Sequence, residues 1–400
     1  MKKGWPRKRL SDLYHIGSSK RVLKSQWKTE GVPFYRGREV TRLAAAGFVD
    51  NELFISEKHF AELTKEYGVP KEGDIVITAI GTIGNSHVVR SSDRFYFKDA
   101  SVLWMKRNAE VSSEFVNFWL KSSSFFDQLD RGNGATVDTL TIQKLQSVEI
   151  SVPPLAEQQR LVGLLDEAFE SLATAKTNAE KNLQNARALF ESYLQSIFTQ
   201  RGPGWVDRQL ASLCHEITVG HVGSMKTEYK ESGIPFLRSQ NIRPFQVSME
   251  NAMFIDERFH HALKKSQLRP GDLAIVRTGY PGTAAVIPPE LPDSNCSDLV
   301  IVRPSKEVNP HFLAAFFNSA FGKQLVLGKI VGAAQKHFNI TAAKEVMLHV
   351  PPISKQRTIV SMVDYLREET QRLVSVYERK LASLEAMKKS LLHQAFSGEL

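Results

Sequence analysis

The sequence predicts an α+β fold written twice: two similar globular domains, and two long helices that pair as an antiparallel coiled coil, so that the chain carries an internal pseudo-twofold repeat. Three observations predict it. The second part of the chain repeats the first, both copies contain a seam of apolar residues at alternating steps of four and three, and the remaining parts hold short apolar runs ended by glycine.

The repeat is clearest where it has no gap. Residues 148–198 open with VEISVPPLAEQQRLVGLLDEAFE and residues 346–396 with VMLHVPPISKQRTIVSMVDYLRE, at a constant offset of 198. Pro153-Pro154 falls on Pro351-Pro352, Gln158 on Gln356, Asp166 on Asp364, Leu183 on Leu381 and Phe198 on Phe396. More loosely, GVPFYRGREV (31–40) corresponds to GIPFLRSQNI (233–242), EGDIVITAIGTIG (72–84) to PGDLAIVRTGYPG (270–282), and GATVDTLTI (134–142) to GAAQKHFNI (332–340). The openings agree as well, with Trp5, Leu10 and Leu13 against Trp205, Leu210 and Leu213. The globular domains are therefore expected at 1–152 and 201–350, and the helices at 153–200 and 351–400.

In the first domain Ile75-Val76-Ile77 reads as a short buried strand ended by a glycine turn, and Phe115 to Leu120 as an amphipathic helix. The first long helix follows Pro153-Pro154, because proline cannot continue a ladder and pushes its predecessor out of the helical region. Its seam is Leu161, Leu165, Ala168, Leu172, Ala175, Ala179, Ala186, Leu189 and Tyr193, interrupted by Asn182. Gly202-Pro203-Gly204 stops it. In the second domain Leu273-Ala274-Ile275-Val276 repeats the buried strand and Phe312 to Phe317 the amphipathic helix. The seam of the second long helix is Ile359, Val363, Leu366, Leu373, Tyr377, Leu384, Met387 and Leu391, interrupted by Thr370 and Lys380. About 45 helical residues at ~1.5 Å each make a rod of ~65 Å, roughly two turns of B-DNA.

Composition narrows the function. Over 400 residues, 42% are hydrophobic and 24% charged, as in a folded protein with real cores. The net charge of +9 favours an anionic partner, and residues 1–50 hold twelve Lys and Arg against four Asp and Glu. Two cysteines, Cys214 and Cys296, exclude a disulfide framework and a cysteine-built zinc site, and fit a reducing cytoplasm. The opening MKKGWPRKRL leads into no apolar core of a signal peptide, and no apolar run approaches the ~20 residues that span a bilayer; a cytoplasmic protein is expected.

The motifs of catalysis are missing. There is no phosphate loop and no G-x-G-x-x-G; Gly81-Thr82-Ile83-Gly84 and Gly279-Tyr280-Pro281-Gly282 are too short for either and read as turns. No Asn/Asp-Pro-Pro-aromatic motif of an amino-methyltransferase occurs. His260-His261 are adjacent, are expected to point apart, and lack metal spacing. Glu378-Arg379-Lys380 has the form of a nuclease site but lies in the coiled-coil helix, where it reads as solvated charge.

What is present suits DNA. Arg36-Gly37-Arg38 and Arg238-Ser239-Gln240-Asn241 occupy the same place in the two halves; arginine can fork onto guanine, and Gln or Asn onto adenine. Arg131 and Asn133 match Gln335, Lys336 and His337 as a second site, and Thr82 and Asn85 match Arg277, Thr278 and Tyr280 as a third. Taken singly, each of these residues is better read as a surface residue or phosphate contact than as a base reader. Together, the loops vary on a repeated frame, as two readers of two different sequences require.

These features resemble the specificity (S) subunits of type I restriction–modification enzymes. The match rests on Gly134-Ala135-Thr136 with Leu140 and Ile142, on V-P-P-L-x-E-Q at Val152 to Gln158 and its repeat at Val350 to Gln356, and on L-L-x-Q-A-F-S-G-E-L at Leu391 to Leu400. The second copy departs from the pattern at Lys355 and at Gly332-Ala333-Ala334. The resemblance implies two target-recognition domains that read a bipartite DNA site, with no catalytic centre in this chain. It further implies two methyltransferase subunits docked on the helices, which bind S-adenosylmethionine and methylate adenine N6, and a separate motor-nuclease restriction subunit. A stand-alone methyltransferase fused to its own reader and a purely structural coiled-coil adaptor are the competing readings. Cofactor binding by the purified chain separates the first from the main reading, and salt-dependent DNA binding the second.

Overall fold

A computed structural model describes residues 5–129, 139–200, 202–328 and 337–400. The chain forms two compact units, Met1–Ala179 with Arg379–Leu400, and Glu180–Glu378, so each long helix contributes to both.

The first unit is built on Ile75–Thr78, four residues without a solvent-facing side chain. It sits inside an antiparallel sheet ordered Tyr14–Gly17, Val102–Arg107, Ile75–Thr78, Ser86–Val88. A strand covered on both faces reads as a continuous apolar run, which is why this one was visible in sequence. A smaller mixed sheet holds Phe54–Ile55, Val32–Tyr35 and Tyr96–Phe97, the last two parallel. Arg7–Arg9 pairs with Glu149–Ser151 and brings both ends of the globular part together. The core gathers Leu10, Leu13, Ile75, Ile77, Phe115 and Leu145, and is completed by Leu161 and Leu165 of one long helix and Leu392, Ala395 and Phe396 of the other.

The second unit repeats this plan. Its first sheet is Cys214–Val219, Leu299–Pro304, Leu273–Val276, Ala284–Val286, and its mixed sheet is Met253–Ile255, Ile234–Leu237, Ser294–Cys296, Gln267–Leu268. Even the register recurs: Ile77 faces Leu103 and Ile275 faces Val300. Val206–Gln209 pairs with Met347–Val350. The core joins Leu210, Phe312 and Phe338 to Leu194 and Phe198 of one long helix and Ile359 and Val363 of the other. The helix expected to be amphipathic here, Pro310–Asn318, is instead buried at every position from Phe312 to Asn318. With six apolar residues in succession it has no polar face to offer water.

The units differ after the first strand of the mixed sheet. GREVTRLAAA forms a helix over Gly37–Ala46, ended by Gly47 in the left-handed conformation. The matching stretch contains Pro244, which cannot sit inside a helix. It turns back as a hairpin of Ile242–Arg243 and Gln246–Val247. Phe245 takes a positive φ of 64° at this turn. Its ring lies 5.9 Å from Phe190 and 5.2 Å from the Arg367 guanidinium, which anchors the hairpin to both long helices.

Those helices run Leu155–Thr199 and Ile353–Ser397 and pair antiparallel within each unit. In the first, Lys176 binds Glu385 at 2.8 Å and Arg160 reaches the Leu400 carbonyl at 3.2 Å; in the second, Arg187 binds Glu378 at 3.0 Å. The seam departs from its expected course at two places. Leu189 is 56% exposed and Met387 is 55% exposed. Phe190 packs in place of Leu189, and next to Met387 the exposed Lys388 lays its ammonium 5.1 Å over the Phe169 ring. His260 and His261 also differ from expectation, since their rings meet edge to face at 5.3 Å. Among the described residues no helix is long and apolar enough to cross a membrane.

Candidate nucleic-acid interface

In the first unit three loops are brought together by strand geometry. Val32–Tyr35 and Tyr96–Phe97 are parallel neighbours, so the residues that follow them leave the sheet on the same side. Lys98 N donates to the Tyr35 carbonyl at 2.7 Å, which sets Lys98 beside Arg36. Ala79 N donates to the Ser101 carbonyl at 2.9 Å and thereby adds the turn that follows Ile75–Thr78. The result is a cavity of about 500 Å³ lined by Arg36, Gly37, Arg38, Thr41, Arg42, Ile80, Gly81, Thr82, Lys98 and Ser101. A neighbouring one of about 370 Å³ shares Ile80, Lys98 and Ser101 and adds Arg21, Lys24 and Trp27.

Arg36 and Arg38 are held from below by Glu39, which is 1% exposed. Arg36 donates to both carboxylate oxygens, at 3.0 and 2.8 Å, and its backbone N–H to one of them at 3.0 Å. Arg38 adds a bond to Glu39 at 3.0 Å and one to Glu52 at 2.7 Å. Burial alone would raise the Glu39 carboxyl; the bonds from Arg36 and Arg38 outweigh it and hold the group at about 2. The two arginines are thus largely neutralised and fixed in place. Arg42 and Lys98 are exposed and carry no ion pair among the described residues, so they supply the free positive charge.

Thr82 lines the cavity, but Asn85 does not. The Asn85 amide donates to Thr41 Oγ1 at 3.2 Å and the Thr82 carbonyl at 3.4 Å, tying the turn to the helix.

The second unit makes the same convergence with other side chains. Ser297 N donates to the Leu237 carbonyl at 3.0 Å, as Lys98 does to Tyr35. Ser239 Oγ lies 3.0 Å from an Asp298 carboxylate oxygen, and Thr278 Oγ1 bonds the same oxygen. Arg238 and Gln240 both donate to the Asn251 carbonyl, at 3.2 and 3.3 Å, and the Arg238 guanidinium lies 6.0 Å from the Tyr229 ring. Arg277 donates from Nε to the Phe338 carbonyl at 3.3 Å, which sets His337 beside this loop. Tyr280, at the tip of its turn, is 83% exposed.

Asn241 is a correction. It is fully buried, its Oδ1 accepts from Arg238 N at 2.9 Å, and its Nδ2 donates to the Ser248 and Glu250 carbonyls. Its amide is consumed in shaping the loop and is not available to a base. It fills the place of Glu39, which receives the Arg36 N–H in the same way. Arg131, Asn133, Gln335, Lys336 and the Gly134-Ala135-Thr136 frame lie outside the described residues.

The sequence reading missed the third loop altogether, with Lys98 in one unit and Asp298 in the other. Its signal is Lys98-Asp99 against Ser297-Asp298, which aligns at an offset of 199 rather than 198. Among the described residues no three His, Cys, Asp or Glu side chains converge to hold a metal.

Residues 2–183 match the family model of the type I restriction modification DNA specificity domain. A Haemophilus influenzae chain assigned as a type I restriction enzyme specificity subunit is 33% identical over 170 residues, which is 42% of this chain and 41% of that one. The EcoKI specificity subunit of Escherichia coli is 22% identical over 312 residues, 72% of this chain and 66% of that one. The chain thus spans less than two thirds of the length of the curated relatives it matches. Among solved structures, a chain from work on assembly and conformational transition of the type I R-M system superposes with a TM-score of 0.79 at 17% identity, covering 100% of this chain and 99% of that one. The HsdS subunit of Thermoanaerobacter tengcongensis superposes with a TM-score of 0.64 at 17% identity, covering 100% and 98%. At such identity these likenesses concern the fold.

Proposed function

We propose that the chain is a type I restriction–modification specificity subunit, a reading supported by the match of residues 2–183 to that family's DNA specificity domain, and that it reads a bipartite DNA target, one half-site per domain, and directs partner subunits to it. One observation carries this reading. In both units the loops converge beside the parallel strand pair, tied by Lys98 N to the Tyr35 carbonyl in one and by Ser297 N to the Leu237 carbonyl in the other, yet their side chains differ: Gly37, Arg38 and Lys98 stand where Ser239, Gln240 and Ser297 stand in the other. A repeated frame with unlike polar contents suits two readers of unlike sequences. Arg36, Arg38, Thr82, Arg238, Ser239, Gln240, Arg277, Thr278, Tyr280 and His337 are then contacts to bases or phosphates, while Asn85 shapes a loop.

In this reading the chain is non-catalytic, since its sequence holds none of the methyltransferase or phosphate-loop motifs. Methyl transfer to adenine N6 belongs to two methyltransferase subunits that bind S-adenosylmethionine, and cleavage to a motor-nuclease subunit. The long helices, 45 residues each, are the part of the chain suited to fixing the unread spacer. The test is a domain exchange. Residues 1–150 are replaced by the same region of a relative, and methylated adenines are mapped in cells that carry the hybrid with its methyltransferase. One half of the target changes and the other stays. A change in both halves, or in neither, overturns the reading.

A further inference from the structure

We propose that Asp298 determines specificity in the second domain by accepting a hydrogen bond from an exocyclic amino group, cytosine N4 or adenine N6, in the major groove. The inference rests on the DNA-reading function proposed above.

Four observations support it. Asp298 stands at the junction of the three loops, reached by Ser239 from one and Thr278 from another. Both hydroxyls address the same carboxylate oxygen, Oδ2, and among the described residues Oδ1 accepts no hydrogen bond. The carboxylate is therefore oriented with one acceptor left open. No cation pairs with it among the described residues, unlike Asp99 of the first unit, which Arg21 binds at 2.8 Å. Finally, Asp298 holds a positive φ of 55°, a conformation that costs a non-glycine residue energy and persists only where its surroundings enforce it.

An unneutralised carboxylate is a poor element for binding a polyanion as such, because phosphates repel it. Its use is discrimination. Only cytosine and adenine present an amino donor in the major groove, whereas guanine O6 and N7 and thymine O4 are acceptors that Asp298 would repel. In the first domain the corresponding Asp99 is taken up by Arg21 and the residue before it is Lys98 rather than Ser297, so that domain has no open carboxylate at this place and would not make the same selection.

The experiment uses the full chain assembled with its methyltransferase subunits and selects from a randomised duplex pool. Wild type returns a two-part consensus with cytosine or adenine fixed at one position of one half-site. Asp298→Ala, which removes the acceptor, loses that preference by about tenfold or more, and the other half-site is unchanged. Duplexes carrying a base analogue without the amino group at that position weaken wild type by a similar factor and leave Asp298→Ala unaffected. Cytosine and adenine analogues in separate arms identify which base is read. Thr278→Val, which removes one orienting hydroxyl, reduces the same preference partially and serves if the aspartate variant melts early. An unchanged consensus in both variants, or a loss spread evenly over all sequences, overturns the assignment of Asp298. A wild-type complex that selects no consensus overturns the DNA-reading function itself.

Discussion

Two buried glutamines show how a repeated motif can be structural. Gln158 accepts from Ser112 N at 2.8 Å and donates to the Pro153 carbonyl at 2.8 Å. Gln356 accepts from Asn309 N at 2.7 Å and donates to the Pro351 and Glu307 carbonyls. Each amide locks the start of a long helix onto the short helix beside it, which accounts for the glutamine in both Pro-Pro motifs. Glu39 plays a comparable part beneath Arg36, and it yields a pH prediction. Its folded carboxyl sits at about 2 against an ordinary 4.5. The folded group is the stronger acid, so its contribution is complete above pH ~4.5 and is lost as pH falls toward ~2. The melting temperature of the first unit should fall through that window, and Glu39→Gln should flatten the fall. An equally steep curve in the variant would remove Glu39 from the account. The partners of these side chains were not legible in sequence, because residue type does not reveal direction. Asn241, polar and in a loop, faces inward all the same.

At the scale of elements, the sequence revealed what is periodic or punctuated. The long helices begin one residue past each Pro-Pro pair, at Leu155 and Ile353, and the buried strands stop before their glycine turns. The seam was misplaced at Leu189 because successive steps of four, from Phe190 to Leu194 to Phe198, replace the alternating pattern there. A helix with 3.6 residues per turn drifts against a strict seven-residue repeat, and such steps absorb the drift. The third loop was hidden for another reason: parallel pairing joins Tyr35 to Phe97 across more than sixty residues, and no local pattern announces it. The seam also gives a stability prediction. Phe396 is 6% exposed, and its ring lies 5.2 Å from Phe115. Phe396→Ala should destabilise the first unit by about 3–5 kcal/mol and leave the second unchanged, as two transitions in chemical denaturation would report. A common shift of both would mean that they unfold as one.

For the molecule as a whole, charge sets the expected response to salt. A net charge of +9, with Arg42 and Lys98 carrying no ion pair among the described residues beside the candidate interface, favours binding that releases counterions. If about 6–10 phosphates are contacted, affinity for duplex DNA should fall roughly a thousandfold or more between about 50 and 200 mM salt. A flat response would place the positive charge outside the interface. The division into units carries one more consequence, for the time at which each can exist. The second unit is an uninterrupted stretch, Glu180–Glu378, whereas the first is closed by Leu392, Ala395 and Phe396. A ribosome adding about 5–20 residues per second needs roughly 10–40 s to travel from residue 180 to residue 400. Throughout that interval the domain synthesised first lacks part of its core, and its partner can finish ahead of it. The order in which the two domains can close is therefore the reverse of the order in which they are made.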